Sequence, residues 1–187
     1  MRLFVALEVP SAVRENLASL LQTLRAVSPQ TRWVRPENLH VTLKFIGEVP
    51  QTKLAGIREA LGGVHSGQPV TLEFRGLGFF PNEKHPRVFW ASIVASPNLK
   101  TLAADIHGAA EKLDVPREQL PFSPHLTLAR FEPPRLPESL RAAIQENARR
   151  EFGSLRTSQF HLIESKLKPS GAEYTTVESF LFAATEA

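Results

Sequence analysis

His40-Val41-Thr42-Leu43 and His125-Leu126-Thr127-Leu128 write one pattern twice, at an offset of 85 residues. Working outward at that offset without a gap, Arg2, Phe4, Ala6, Val9 and Ser11 fall on Arg87, Phe89, Ala91, Val94 and Ser96. Leu17 and Ala18 fall on Leu102 and Ala103, Arg32 on Arg117, and Pro36 on Pro121. Ordinary composition gives roughly two or three such identities by chance over this length, so the chain reads as an internal duplication covering about 2–80 and 87–165.

Periodicity repeats along with identity. In Ser11 to Leu24, residues Val13, Leu17, Leu20, Leu21 and Leu24 share one helical face; Leu99, Leu102, Ala103, Ile106 and Leu113 do so in Asn98 to Leu113. A short apolar strand candidate precedes each helix, Leu3 to Glu8 and Val88 to Val94. A loop and the His-x-Thr-Leu strand follow each helix. Second helices are expected around Leu54, Ile57 and Leu61, and around Leu140, Ile144 and Phe152. Further strands are expected at 70–74, 157–163 and 176–182. Pro50, Pro69, Pro81, Pro86, Pro97, Pro133, Pro134 and Pro137 fall between elements, where a missing N–H does no harm. The expected architecture is a single bilobal α+β domain over 1–187. Its two pseudo-symmetric β-α-β-α-β lobes carry mainly antiparallel sheets facing across a central cleft, helices outside, with 76–86 as linker.

Composition narrows the function classes. Hydrophobic residues make up 42% and charged residues 22%, values of a globular chain rather than a disordered or fibrous one. The net charge of +3 suits an anionic partner such as RNA. The absence of cysteine removes disulfides, thiolate nucleophiles and thiolate metal sites. The run Leu3 to Leu7, ended by Glu8, is too short for a signal peptide or a membrane span. A cytoplasmic monomer without membrane association is expected.

In a strand, side chains two apart share a face. His40 and Thr42 therefore point one way and Val41 and Leu43 the other; His125 and Thr127 oppose Leu126 and Leu128 in the same manner. If the lobes face each other, two imidazoles flank one cleft. Opening a cyclic phosphodiester needs a base for water and an acid for the departing oxygen, and a pair of histidines with pKa near 6.5 supplies both. Thr42 and Thr127 hydroxyls can donate to the phosphoryl oxygens. No metal and no cofactor is required. His65, His85, His107 and His161 read as ordinary structural histidines. By strand parity Phe45 is expected to be buried and Lys44 solvated. Trp33, Trp90, Phe79, Phe80 and Tyr174 are aromatics suited either to core packing or to base stacking.

The paired motifs resemble the signature of the two-histidine (2H) phosphoesterase superfamily. Within it the chain is similar to the LigT-like RNA 2′,3′-cyclic phosphodiesterases, also called 2′-5′ RNA ligases. The likeness extends over Arg2-Leu3-Phe4-Val5-Ala6, Arg32-Trp33-Val34, Asn38-Leu39-His40, Pro86-Arg87-Val88-Phe89-Trp90, Pro124 to Arg130 and Ser165 to Tyr174. It implies hydrolysis of a terminal 2′,3′-cyclic phosphate to a 2′-phosphate on RNA ends such as tRNA-like fragments or oligonucleotides. It also implies ATP-independent joining or cleavage of 2′-5′ linkages in some relatives. By the same resemblance His40 is the proton donor and His125 the proton acceptor; symmetry alone leaves the two roles interchangeable. Arg130 is a phosphate contact in this pattern, yet simple alternation puts it on the buried face, so a bulge must turn it round. A non-catalytic RNA-binding module, a cyclic phosphodiesterase on a small nucleotide and a metal-dependent hydrolase are the competing readings.

Overall fold

The computed structural model describes residues 1–115 and 122–182; Arg117 and Pro121, the expected counterparts of Arg32 and Pro36, lie outside the described residues. Its elements are β1 (Arg2–Glu8), α1 (Ser11–Val27), β2 (Arg32–Trp33), β3 (His40–Glu48), α2 (Leu54–Gly62), β4 (Val70–Phe80), β5 (Val88–Ala95), α3 (Asn98–Glu111), β6 (His125–Arg130), α4 (Glu138–Glu146), β7 (Glu151–Thr157), β8 (Gln159–Lys168) and β9 (Gly171–Leu181). Helix α1 buries Val13, Leu17, Leu20, Leu21 and Leu24, the stripe that its spacing predicts. Each such leucine contributes about 1.5–3 kcal/mol when fully buried. The helix stops because Pro29 disfavours a helical Ser28, which adopts φ −139°. Helix α4 follows Pro137 and buries Leu140 and Ile144. Phe152, expected on that helix, instead opens into β7 and is fully buried there.

Two antiparallel sheets result, in the orders β3-β1-β8-β9 and β2-β6-β5-β4-β7. Each sheet takes strands from both halves of the sequence. β4, late in the first half, lies beside β5 in the second sheet, while β8, late in the second half, lies beside β1 in the first. β2 crosses too, pairing Trp33 with Ala129 of β6. The helices follow suit: α1 packs on β7 and α4, α3 on β3 and α2. One contiguous apolar core, from Leu3 to Phe182, runs under both sheets. The sheets meet along β3 and β6, the two strands that begin with the motif histidines. No helix among the described residues is long and apolar enough to cross a membrane.

Both motif strands carry a bulge at the same place. On β3, Ala6 pairs with Thr42 but Val5 with Lys44, leaving Leu43 as the extra residue. On β6, Trp90 pairs with Thr127 but Phe89 with Ala129, leaving Leu128 extra. An inserted residue reverses alternation beyond it. Lys44 is consequently buried at 1% exposure and Phe45 exposed at 56%, the reverse of what simple alternation leads one to expect. The same reversal carries Arg130 out of the core into solvent and buries Ala129.

The ladders also place the first strand of each half differently from the ungapped match. Ala6 and Glu8 pair with Thr42 and His40; Trp90 and Ser92 pair with Thr127 and His125. Spatially, then, Ala6 corresponds to Trp90 and not to Ala91. Phe4 and Phe89, identical at the sequence offset, face opposite ways: Phe4 toward His40 and Phe89 toward Trp33 in the core.

Candidate active site

His40 and His125 open their strands, and both rings are half-buried rather than sunk among aliphatic side chains. His40 Nδ1 lies 3.2 Å from the Asn38 carbonyl oxygen, and His125 Nδ1 lies 2.9 Å from the Ser123 carbonyl oxygen. In each case the carbonyl belongs to the residue two positions back. A carbonyl can only accept, so each Nδ1 carries the hydrogen and each Nε2 keeps its lone pair free. The duplicated sequence thus builds a duplicated tautomer, with Nε2 free of that contact on both rings. Thr42 and Thr127 share the histidine faces and are likewise half-buried.

Aromatic edges confine the two rings. Phe4 and Tyr174 meet His40 with centroids 6.2 and 5.7 Å away, both edge to face. Phe80 meets His125 at 5.0 Å and 88°. Of the aromatics singled out in the sequence, Tyr174 and Phe80 therefore reach the candidate site, and Trp90 stands behind Phe80 at 5.2 Å. Trp33 and Phe79 pack instead against Phe89 in the core. Gly78 makes room for the Trp90 indole, since a Cβ there would collide with the ring.

One neighbour escaped the sequence reading. His161, which reads in the sequence as an ordinary structural histidine, sits on β8 opposite Ala6, on the same sheet face as His40. Its Nδ1 is 2.8 Å from the Ser179 hydroxyl, and its Nε2 is 3.9 Å from a Glu8 carboxylate oxygen. Glu8 is the ladder partner of His40. Burial holds the His40 imidazole below its ordinary value; the Asn38 carbonyl and Glu8 work against that, Arg14 and His161 with it. Burial also lowers His161, with Glu8 opposing. β8 is buried on both faces through Phe160 to Ile163, so no alternation marked His161 as facing the site. His65 and His85 are exposed, and His107 lies buried on α3, away from these groups in sequence and element.

A family model described as LigT like Phosphoesterase matches residues 7–90 and 93–174, nearly the whole chain. The chain belongs to this family. Two LigT-like relatives, both named RNA 2′,3′-cyclic phosphodiesterase, align over 96% of it. The Archaeoglobus fulgidus protein is 37% identical with 99% of its own length covered, and that of Methanothermobacter thermautotrophicus 33% identical with 97% covered. Among solved structures, a Thermus thermophilus protein superposes with a TM-score of 0.77 at 33% identity, each chain covered completely. Escherichia coli LigT complexed with 3′-AMP superposes at 0.75 and 27% identity over 98% of both chains. The bilobal α+β architecture is thus that of the LigT-like phosphoesterases.

Proposed function

We propose that the protein hydrolyses RNA 2′,3′-cyclic phosphate ends to 2′-phosphomonoesters by metal-independent acid/base catalysis at His40 and His125. The observation that carries this reading is the pair of bulged strands in contact. Each presents an imidazole whose Nδ1 is tied to a carbonyl and whose Nε2 is left to exchange a proton.

His125 Nε2 takes a proton from water as its oxygen bonds to phosphorus. The P–O3′ bond opposite breaks, and His40, protonated at Nε2, gives its proton to the departing ribose oxygen. The 2′-oxygen keeps the phosphate. Thr42 and Thr127 donate hydroxyl hydrogens to the non-bridging oxygens as charge builds there. Arg130, turned outward by the bulge, steers the anionic chain toward phosphorus. Attack by the ribose 5′-hydroxyl of a second RNA end in place of water is the same displacement, with His125 taking its proton and the 3′-oxygen leaving, and forms a 2′-5′ linkage without ATP. The assignment of donor and acceptor follows the family pattern. The relatives named RNA 2′,3′-cyclic phosphodiesterase support the choice of substrate.

The deciding experiment treats an oligonucleotide bearing a 2′,3′-cyclic end with the protein in excess chelator and analyses the product. A 2′-monophosphate is expected. A 3′-monophosphate, or activity only on adding zinc or manganese, overturns the proposal.

A further inference from the structure

Arg130 does not stand alone beyond the second bulge. On the ladder between β2 and β6 it pairs directly with Arg32, while the next pair, Trp33 and Ala129, turns into the core. Both arginines therefore lie on the sheet face that carries His125 and Thr127, and both are exposed. Like charges directly opposite one another on adjacent strands repel and work against folding. Relief within the fold is slight. Arg32 Nη1 is 3.8 Å from a Glu132 carboxylate oxygen, with both side chains open to water, and an exposed contact of that kind holds little. Among the described residues Arg130 takes part in no ion pair. We infer that Arg32 and Arg130 together grip a backbone phosphodiester of the RNA upstream of its cyclic end, an inference that rests on the hydrolysis proposed above.

The position of the pair selects the chain rather than the reacting phosphate. At a strand rise of about 3.3 Å per residue, Arg130 lies roughly 15 Å along β6 from His125. Arg32 sits one strand farther out, on the edge of the sheet. A mononucleotide seated at His125 ends before that point, whereas an oligonucleotide carries further phosphates past it. The first sheet has no equivalent. Its row beyond the bulge is Phe45, Phe4 and Ile163, against Arg32, Arg130 and Val88 in the second. A polyanion therefore follows β6 and β2.

The side-chain chemistry points the same way. Guanidinium forks match the paired non-bridging oxygens of a phosphodiester, and arginine contacts them bidentately. Such contacts position a nucleic acid without reading its bases, so this site senses chain length and charge rather than sequence. Glu132 is the built-in competitor, because its carboxylate must release Arg32 before a phosphate takes its place. A phosphate bridging both arginines removes the like-charge repulsion that the ladder imposes.

The test measures kcat/KM for a cyclic-ended pentanucleotide and for a nucleoside 2′,3′-cyclic phosphate, from about 50 to about 200 mM salt. The unaltered protein is expected to favour the pentanucleotide, most strongly at low salt. Arg32→Ala should cut that preference severalfold and make its log-log dependence on salt shallower by about 0.7, the share of one single-strand phosphate. Arg32→Lys, which keeps the charge, should retain most of it. Glu132→Gln should act in the opposite direction and raise the preference, whereas loss of either partner of a merely structural ion pair would act alike. No preference in the unaltered protein, an unchanged salt slope in Arg32→Ala, or a shift of the same sign in Arg32→Ala and Glu132→Gln overturns the site and leaves the hydrolysis standing. If the unaltered protein hydrolyses neither substrate, the hydrolysis proposal falls, and fluorescence anisotropy with a labelled pentanucleotide ending in a 2′-phosphate judges the site. Weaker binding in Arg32→Ala with tighter binding in Glu132→Gln supports it; any other pattern overturns it.

Discussion

His40 and His125 hold the same place on two bulged strands, with the same carbonyl behind each ring, but their surroundings differ. Around His40 stand Phe4, Tyr174, the Glu8 carboxylate, Arg14 and His161, and burial depresses the ring's affinity for protons. Around His125 stand Phe80 and a more open surface, with Arg130 farther along the strand. Two residues make the contrast plain: past the bulge, the first strand exposes Phe45 where the second exposes Arg130. Backbone duplication fixes where the imidazoles stand and which nitrogen is free. The neighbours, which are not duplicated, are what makes the two rings differ.

The largest expected effect tests the shared part. His40→Ala and His125→Ala should each reduce kcat on a cyclic nucleotide by roughly 10²–10⁴-fold, with circular dichroism and thermal melting unchanged. If either variant keeps near-full activity, the two halves are not catalytic counterparts. Next come the hydroxyls. Thr42→Val and Thr127→Val should each lower kcat by roughly 10²-fold with KM little altered, as loss of one donor to a developing oxyanion does; a change confined to KM would assign them to ground-state binding.

The smaller effects probe the differences. Arg130→Ala should raise KM for a cyclic-ended oligonucleotide and flatten its salt dependence, whereas Phe45→Ala should not affect the salt dependence. The pH profile should be asymmetric. As donor, His40 must be protonated, so kcat/KM should fall as pH rises through its depressed value. An anion bound in front raises that value, so the same limb in kcat should lie at higher pH. Glu8→Gln removes a group that favours the protonated ring and should move the kcat/KM limb to lower pH. An unmoved limb would assign it to another residue.

Stability should follow the same chemistry. Both His40 and His161 have folded values below the ordinary 6.5. Between those values and 6.5 the unfolded chain binds more protons, so their contribution is full above about 6.5 and is lost as pH falls through the folded values. Chemical denaturation across pH 5 to 7.5 should show the decline, and His161→Asn should reduce its slope.

Much of this was legible in the sequence, because the informative patterns were local. The α1 stripe and the alternation of His40-Val41-Thr42-Leu43 follow from one residue's spacing to the next. Alternation failed one residue later, at Lys44 and Phe45, because a bulge belongs to the pairing of two strands and leaves no mark on one of them. Arg130 was the exception, since its chemistry conflicted with its parity. His161 and Glu8 could not be linked, because their meeting depends on β8 crossing into the first sheet. The identity of Phe4 and Phe89 misled for the same reason: equal letters at equal offset ended on opposite faces once the ladders formed.

That crossing has a mechanical outcome. With β4 hydrogen-bonded into one sheet and β8 into the other, the two halves of the sequence are interlaced by whole ladders and cannot part as independent units without unzipping strands. For the same reason a cut in the exposed 82–85 segment should leave both fragments clasped and functional, whereas the first expressed alone should lack β8 and β9 from its sheet and the second β2 and β4 from its own.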